Sequence, residues 1–239
     1  MSQWAKTVTI PSKAGIAIKV SMIIAILIGT YFSSLLTAKV EGASTFYYFT
    51  VQSNWFIGIM AAVFLYQEIR TRQKVTSQLL YSLKYLATTA VALTFTIFSV
   101  VLLPTVPLDY LMSWGNVLLH DVVPVLAVLD YLLYDTDFKA EAKNIAWTVI
   151  MPVCYFGFVM LGLLLDFRYI DNQRIPYFFL DFHKLGWFGL GPSGPGVFYW
   201  LLMTLAAVAA LGALLIWAMR MRKRRLHPGA DTIGERAAG

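Results

Sequence analysis

Six long apolar stretches constrain the fold of this chain more than any other feature of its sequence. They cover about residues 16–37, 45–66, 79–103, 116–135, 145–165 and 197–219. Each reaches the ~20 residues that a helix needs to cross the hydrocarbon core of a bilayer. The runs are continuous, whereas the strands of a membrane β-barrel alternate apolar and polar residues over ~10 positions. The sequence therefore predicts an all-α membrane protein, a six-transmembrane-helix bundle.

The charged residues agree with this fold. Only 13% of the residues are charged and 59% are hydrophobic, whereas soluble domains carry about 25% charged residues. The net charge of +6 comes from Lys and Arg beside the apolar runs, which is typical of topology determinants. We therefore expect the membrane and a lipid as partners, and no nucleic acid. The single cysteine, Cys154, leaves no disulfide and no cysteine-based metal motif.

Lys and Arg are distributed unequally between the two sides of the predicted bundle. The N-terminus, the second and fourth connections and the C-terminus carry Lys6, Lys13, Arg70, Arg72, Lys74, Lys139, Lys143, Arg220, Arg222, Lys223, Arg224 and Arg225. The third connection, residues 104–115, has neither residue type. Because cytoplasmic loops are enriched in positive charge, both termini are predicted to be cytoplasmic. Residues 1–220 then form a single six-helix transmembrane domain, and residues 221–239 a basic, disordered cytoplasmic tail.

Ionisable residues inside the apolar stretches are unusual, because an unpaired charge there costs at least ~2.5–3.5 kcal/mol. Lys84 lies near the end of the third stretch and is expected to reach the interface, as is Lys19 in the first. Asp130 is expected to pair with Lys84 or with a loop lysine. His120 lies deeper in its stretch, so it is the strongest candidate for a functional role.

Thr50 enters the second stretch from the same side as His120 enters the fourth, at a similar depth. Helical spacing puts Asn54 one turn from Thr50 and Asn116 one turn from His120. A histidine of near-neutral pKa can deprotonate a threonine hydroxyl and later protonate a leaving alkoxide. Ordinary interhelical hydrogen bonding would use the same side chains, so both interpretations stay open.

Candidate hydrogen-bond donors to an oxyanion surround this pair in the sequence. They are Asn54, Asn116, Ser53 and Gln52, and such donors stabilise a transition state when they are preorganised. No acidic residue is placed to orient His120, because Asp121 projects about 100° around the helix from it. The orienting partner could be Asn116, Asn54 or the loop that contains Asp181.

The connection at residues 166–196 is rich in aromatic residues and ends in a Gly/Pro run that cannot be a continuous helix. It is either a lid over a pocket or a connector on the membrane surface.

Two further functional classes are open as well. A non-enzymatic protein that binds lipid or a partner, or a small transporter, would show a groove or a continuous polar path. A metal-dependent hydrolase would use His120, Asp121, Asp181 and His183, which lack a recognised ligand spacing.

Three short motifs resemble those of a known family. They are Phe49-Thr50-Val51-Gln52-Ser53-Asn54, His120 with Pro124, and Tyr177-Phe178-Phe179-Leu180-Asp181. They are similar to motifs of the androgen-induced-protein superfamily of six-span membrane proteins, and most of all to its prokaryotic members. The resemblance covers about residues 15–220.

The resemblance implies a membrane-embedded threonine hydrolase that cleaves fatty-acyl esters, such as fatty acid esters of hydroxy fatty acids. It implies Thr50 as the nucleophile and His120 as the general base and acid, with no metal and no diffusible cofactor. Substrate or oxyanion contacts are expected from Asn54, Ser53, Asn116 and Asp181. The prokaryotic likeness implies the bacterial cytoplasmic membrane, with the site nearer its extracytoplasmic side.

Overall fold

The structure, a computed structural model, describes residues 12–37, 44–71, 77–192 and 194–226. Within these ranges six helical segments are long and apolar enough to cross a membrane, and we call them spans 1 to 6. They are Lys13–Leu35, Phe49–Arg70, Gln78–Thr105, Trp114–Tyr134, Ala142–Leu164 and Val197–Arg225. The predicted all-α six-helix bundle is therefore confirmed. Three of the predicted topology residues, Lys6, Arg72 and Lys74, lie outside the described residues.

Three of the spans are unbroken α-helices, and three are interrupted. Spans 1, 2 and 6 belong to the helices Lys13–Thr37, Phe49–Thr71 and Val197–Leu226. Span 3 consists of Gln78–Ile97, Phe98–Leu102 and Leu103–Thr105. Span 4 consists of Trp114–Val117, Leu118–Val122 and Val123–Tyr134. Span 5 consists of Ala142–Trp147 and Ile150–Leu164. Residues 221–226 are helical, which differs from the disorder predicted from residue 221 onward.

Prolines explain where the spans are interrupted. A proline has no N–H to donate, and its ring clashes with the carbonyl four residues earlier, so the turn before it widens or breaks. Pro104 and Pro124 each follow a π-helical turn, Phe98–Leu102 in span 3 and Leu118–Val122 in span 4. Pro152 follows the break between Trp147 and Ile150 in span 5. π turns are rare and often occur at functional sites.

The connections are short except for residues 165–196. Their regular elements are Ser44–Tyr47, Leu108–Leu111, Ile170–Asn172, Phe178–Leu180 and Phe182–Leu185, with a two-stranded hairpin of Leu190–Gly191 and Gly194–Pro195. The long connection folds back on the start of span 2, where the Ile170 N–H donates to the Tyr48 hydroxyl at 3.0 Å. We call the side of the bundle that carries this connection the loop face.

The core has two parts that meet at spans 2 and 3. One apolar cluster joins spans 1 to 4 and the end of span 6 and includes Met22, Phe64 and Tyr131. The other joins the start of span 2 to spans 3, 5 and 6 and to the long connection, and it includes Phe49 and Leu93. Side chains of the first turn of span 2 thus lie where the two clusters adjoin.

A buried ionic cluster joins spans 1 to 4 near the side opposite the loop face. The Lys84 ammonium lies 2.6 Å from Asp130 and 2.7 Å from Asp135, and Lys19 lies 3.0 Å from Asp130 and 3.2 Å from Glu68. The pairing of Lys84 with Asp130 was predicted. The expectation that Lys84 and Lys19 reach the interface is wrong, because they are 0% and 1% exposed. Carboxylates on neighbouring helices hold both ammonium groups inside the bundle.

Replacing Lys84 by Met is expected to destabilise the protein by roughly 3–5 kcal/mol, because it leaves the buried Asp135 carboxylate unpaired and removes one of the two cations beside Asp130. The free energy of unfolding, followed by denaturant titration in detergent micelles, measures this effect. Asp135→Asn in the same chain should restore part of the loss, since Asp135 has no other ion pair among the described residues. The exposed pair of Lys143 and Glu141 provides the control, and Lys143→Met should change stability by less than ~0.5 kcal/mol. Equal effects of the two lysine replacements would contradict the prediction.

Candidate active site

Thr50 and His120 meet inside the bundle although 70 residues separate them in the chain. The Thr50 Oγ1 lies 3.1 Å from the His120 Nε2, which is within the reach expected for a nucleophile and its base. Both residues are buried, each with 7% of its surface exposed. Thr50 is in the first turn of the span 2 helix, and His120 is in the π turn of span 4. The proximity predicted from their depths is therefore observed.

The hydrogen bonds of His120 define which ring nitrogen faces Thr50 as an acceptor. Its Nδ1 lies 3.2 Å from the backbone carbonyl oxygen of Asn116. A carbonyl can only accept, so this hydrogen bond requires the ring proton on Nδ1 and leaves Nε2 free to accept from the Thr50 hydroxyl. Phe98, from the π turn of span 3, packs on the ring with centroids 4.1 Å apart. Backbone and aromatic contacts thus orient the imidazole without a carboxylate.

Asn54 and Ser53 hold the Thr50 turn in place. The Asn54 Nδ2 donates to the Thr50 carbonyl at 2.7 Å and to the Leu119 carbonyl at 3.0 Å, which ties span 2 to the turn of His120. The Ser53 hydroxyl donates to the Thr50 carbonyl at 3.1 Å and contacts the Thr94 hydroxyl at 3.0 Å. These donors are engaged with protein groups, and neither residue lines a cavity at the site. Asn54 and Ser53 thus position the Thr50 turn in this arrangement, and their expected role at the oxyanion stays a prediction.

The other predicted contacts make hydrogen bonds of their own, although Asn116 also lines a cavity beside Thr50 and His120. The Asn116 side chain donates to the Leu111 carbonyl at 3.0 Å, so it is the Asn116 backbone that touches His120. Gln52 donates to the Phe46 carbonyl at 3.0 Å. Asp181 caps the short helix after it, accepting from the backbone of His183 and Lys184, and it lines neither cavity. The expected contact between Asp181 and the substrate stays a prediction.

No metal centre gathers around the pair. In the part of the chain that the structure describes, no group of three or more His, Cys, Asp or Glu side chains is arranged to hold an ion. The alternative set of His120, Asp121, Asp181 and His183 is thus not assembled.

Tyr177 is a site residue that the sequence did not single out beyond its place in one motif. It belongs to the long connection, and it lines both cavities that reach Thr50. Burial raises the pKa of the Tyr177 phenol to about 12, although contacts with the Thr50 side chain and backbone act in the opposite direction. The phenol is therefore protonated at physiological pH and can donate a hydrogen bond beside the Thr50 hydroxyl.

Two cavities meet at the pair and differ in character. The first, of about 140 Å³, lies among spans 2, 3, 5 and 6 and is lined by apolar side chains such as Leu93, Phe156 and Leu201. The second, of about 500 Å³, lies towards the loop face and has polar side chains in its wall. Residues common to both walls are Thr50, Phe98, Leu102, His120 and Tyr177. A bound molecule could thus place an apolar chain and a polar group on opposite sides of the Thr50 hydroxyl.

Fold and site together define a six-span helical membrane protein with a buried threonine–histidine pair between an apolar and a polar cavity. No protein-family model, curated protein or solved structure matches the chain. The likeness to the androgen-induced-protein superfamily therefore stays a prediction from the three motifs.

Proposed function

We propose that the protein is an intramembrane esterase that cleaves fatty-acyl esters through an acyl-threonine at Thr50. The observation that carries this proposal is the 3.1 Å contact between the Thr50 hydroxyl and the His120 Nε2 at the junction of the two cavities. A hydroxyl becomes a competent nucleophile only beside a base of this kind.

In the acylation step the Thr50 Oγ1 forms a bond to the ester carbonyl carbon while His120 Nε2 takes the hydroxyl proton. The tetrahedral intermediate collapses by breaking the bond to the alkoxy oxygen, and the histidine returns the proton to this leaving oxygen. The products of this half-reaction are a free alcohol and the Thr50 ester. Water then attacks the Thr50 ester with His120 again as the base, which releases a fatty acid and regenerates the hydroxyl.

Two groups can supply hydrogen bonds to the oxyanion of each tetrahedral intermediate. The Tyr177 phenol lies beside Thr50 and lines both cavities. Thr50 itself is in the first turn of the helix Phe49–Thr71, where backbone N–H groups lack helical partners and the helix dipole favours negative charge. Removal of one such donor costs ~2.7–4 kcal/mol in a preorganised site.

The apolar cavity favours a fatty-acyl chain as the acid part of the substrate. Its wall is formed by side chains of spans 2, 3, 5 and 6, and Val153 on this wall is also 51% exposed on the outside of the bundle. A chain in this cavity would thus lie at the depth of the bilayer's own acyl chains. The resemblance suggests fatty acid esters of hydroxy fatty acids as one substrate.

The proposed setting is a cell membrane, with both termini cytoplasmic and the loop face extracytoplasmic. The unequal distribution of Lys and Arg between the connections supports this orientation. Thr50 and His120 would then lie nearer the extracytoplasmic side. The likeness to prokaryotic members of the family suggests the bacterial cytoplasmic membrane.

A non-enzymatic lipid-binding protein is the second candidate, because the same apolar cavity could hold an acyl chain without cleaving it. The two functions differ in what they require of Thr50. An esterase needs a reactive hydroxyl at this position, whereas a binding protein needs only the shape of the cavity.

A lipophilic fluorophosphonate probe tests the proposal, because its phosphorus reacts with an activated hydroxyl and releases fluoride. We expect the purified protein to form one covalent adduct, located at Thr50 by peptide mass spectrometry. Thr50→Ala should abolish labelling, while Thr94→Ala should retain it, since Thr94 also lines the apolar cavity but its hydroxyl is bonded to Ser53 and to the Ala90 carbonyl. Equal labelling of the Thr50→Ala variant would refute the nucleophile assignment, and complete absence of labelling in the parent protein would favour the binding function.

A further inference from the structure

The side chains that line the polar cavity indicate which alcohol part the substrate has. This inference rests on the proposed esterase function. With the acyl chain in the apolar cavity and the carbonyl at Thr50, the alkoxy group has to extend into the other cavity. That cavity has a volume of about 500 Å³, so it can hold a sizeable head group. Its wall therefore determines which alcohols fit.

Aromatic rings and one carboxylate characterise this wall. Tyr48, Tyr110 and Tyr177 line it, and Asp171 is the one acidic residue among its lining side chains. No Lys or Arg lines it. Tyrosine faces attract cations through the ring quadrupole, and clusters of such rings are used to recognise quaternary ammonium groups. The lining thus combines two features that attract positive charge, and it lacks the arginine or lysine that would pair with a carboxylate.

These groups lie close together. The ring centroids of Tyr48 and Tyr177 are 6.1 Å apart at an angle of 75°. Burial raises the pKa of the Tyr48 phenol well above its usual range, and the nearby Tyr177, Tyr110 and Asp171 add to this rise. All four residues line this one cavity, so they act together on a group bound in it.

Cations of the long connection do not cancel the charge of Asp171. Arg168 and Arg174 both pair with Asp166, at 2.7 and 3.1 Å, and Lys184 pairs with Asp181 at 3.2 Å. The hydrogen bond from Arg168 lowers the pKa of the Asp166 carboxyl, which keeps this partner charged. Asp171 makes no ion pair or hydrogen bond with the described residues. It is exposed, and it lines the cavity.

The backbone places Asp171 at the rim of the cavity. Asp171 and Asn172 have positive φ angles of 58° and 59°, a conformation that Asp and Asn tolerate better than most residues. The turn is closed by the Tyr169 N–H, which donates to the Gln173 carbonyl at 2.8 Å, and it is tied to span 2 through the Tyr48 hydroxyl. A tight turn anchored at both ends keeps the carboxylate near the tyrosine rings.

We propose that the polar cavity binds the alcohol part of the ester and selects a cationic alcohol over an anionic one. The preferred substrates are thus fatty-acyl esters of amino alcohols with a quaternary or protonated nitrogen. Esters of hydroxy acids, which the resemblance suggests as substrates, carry a carboxylate on the alcohol part, so this cavity favours them least.

Three esters with the same palmitoyl chain test this selection with the full-length protein in detergent micelles. Their alcohol parts are choline, which is cationic, glycerol, which is neutral, and a short hydroxy acid, which is anionic. We expect kcat/KM to fall in that order, and all three activities to depend on Thr50. Asp171→Asn should lower kcat/KM for the choline ester roughly two- to fivefold and raise it for the anionic ester by a similar factor, since an exposed charge pair contributes up to ~1 kcal/mol.

Asp109→Asn is the matched control, because Asp109 is an exposed carboxylate on the same side of the bundle that does not line the cavity. It should leave the order of the three esters unchanged. A preference for the anionic ester, or a charge preference that Asp171→Asn does not alter, would overturn the inference while the esterase function stands. Absence of Thr50-dependent hydrolysis of all three esters and of a simple aryl palmitate would overturn the esterase function and the selection together.

Discussion

Thr50→Ala should reduce the turnover of a fatty-acyl ester by roughly 10³-fold or more, which is the scale of effect seen when a nucleophile of covalent catalysis is removed. The reason is geometric, because the Thr50 hydroxyl is the one that lies 3.1 Å from His120 Nε2. The methyl of alanine offers no oxygen to form the acyl intermediate. Release of fatty acid from a palmitoyl ester by the purified protein measures the loss.

Two further replacements separate lost chemistry from lost structure. Thr50→Ser keeps the hydroxyl and should retain measurable activity, with a reduced rate because the freer serine side chain adopts more rotamers than the β-branched threonine. Ser53→Ala removes a neighbouring hydroxyl that contacts Thr94 and the Thr50 carbonyl, and it should reduce activity far less than Thr50→Ala. If Thr50→Ala stays active, or if Thr50→Ser is as inactive as Thr50→Ala while both fold, the nucleophile assignment fails.

The six-helix bundle could be predicted from the lengths of the apolar stretches. The proximity of Thr50 and His120 could be predicted from their similar depths in those stretches. A run of ~20 apolar residues has few alternatives to a membrane-crossing helix. Residues that enter from the same side at a similar depth lie at one level whatever the packing angles are. That Thr50 and His120 face each other at this level could not be predicted, because six helices can pack around one another in several arrangements.

The details of the site depend on interruptions that the hydrophobic pattern does not reveal. Regular helical spacing placed the Asn116 side chain on the face of His120, whereas the π turn of Leu118–Val122 brings the Asn116 carbonyl to the ring instead. Pro124 was visible in the sequence, but proline can kink, widen or end a helix. The sequence does not indicate a site role for Tyr177, because its connection lies outside the spans, where an aromatic residue is typical of the membrane interface.

The burial of Lys84 also could not be predicted from the sequence. Lys84 was expected to reach the interface, which is the usual behaviour of a lysine near a helix end. In the bundle it is instead paired with Asp130 in span 4 and with Asp135 directly after that span. The choice between these outcomes depends on whether a carboxylate of another helix lies within reach, and this is a property of packing that one sequence does not state.

His120→Ala is expected to lower turnover roughly 10²–10⁴-fold, which is the usual contribution of a general acid–base residue. Both half-reactions should slow, because the same Nε2 takes the Thr50 proton and later activates water. The truncated side chain also leaves a space beside Thr50 that opens to the polar cavity. Added imidazole can enter from this cavity and should restore part of the activity in a concentration-dependent manner, whereas it should not rescue Thr50→Ala.

This rescue distinguishes a base from a packing residue. The ring of His120 stacks on Phe98, so its loss could slow the reaction merely by loosening the π turns of spans 3 and 4. His120→Phe fills the space with an aromatic ring that cannot accept a proton, and it should be inactive and insensitive to imidazole. Activity in His120→Phe close to that of the parent protein would show that the ring's shape, and not its nitrogen, is what the site requires.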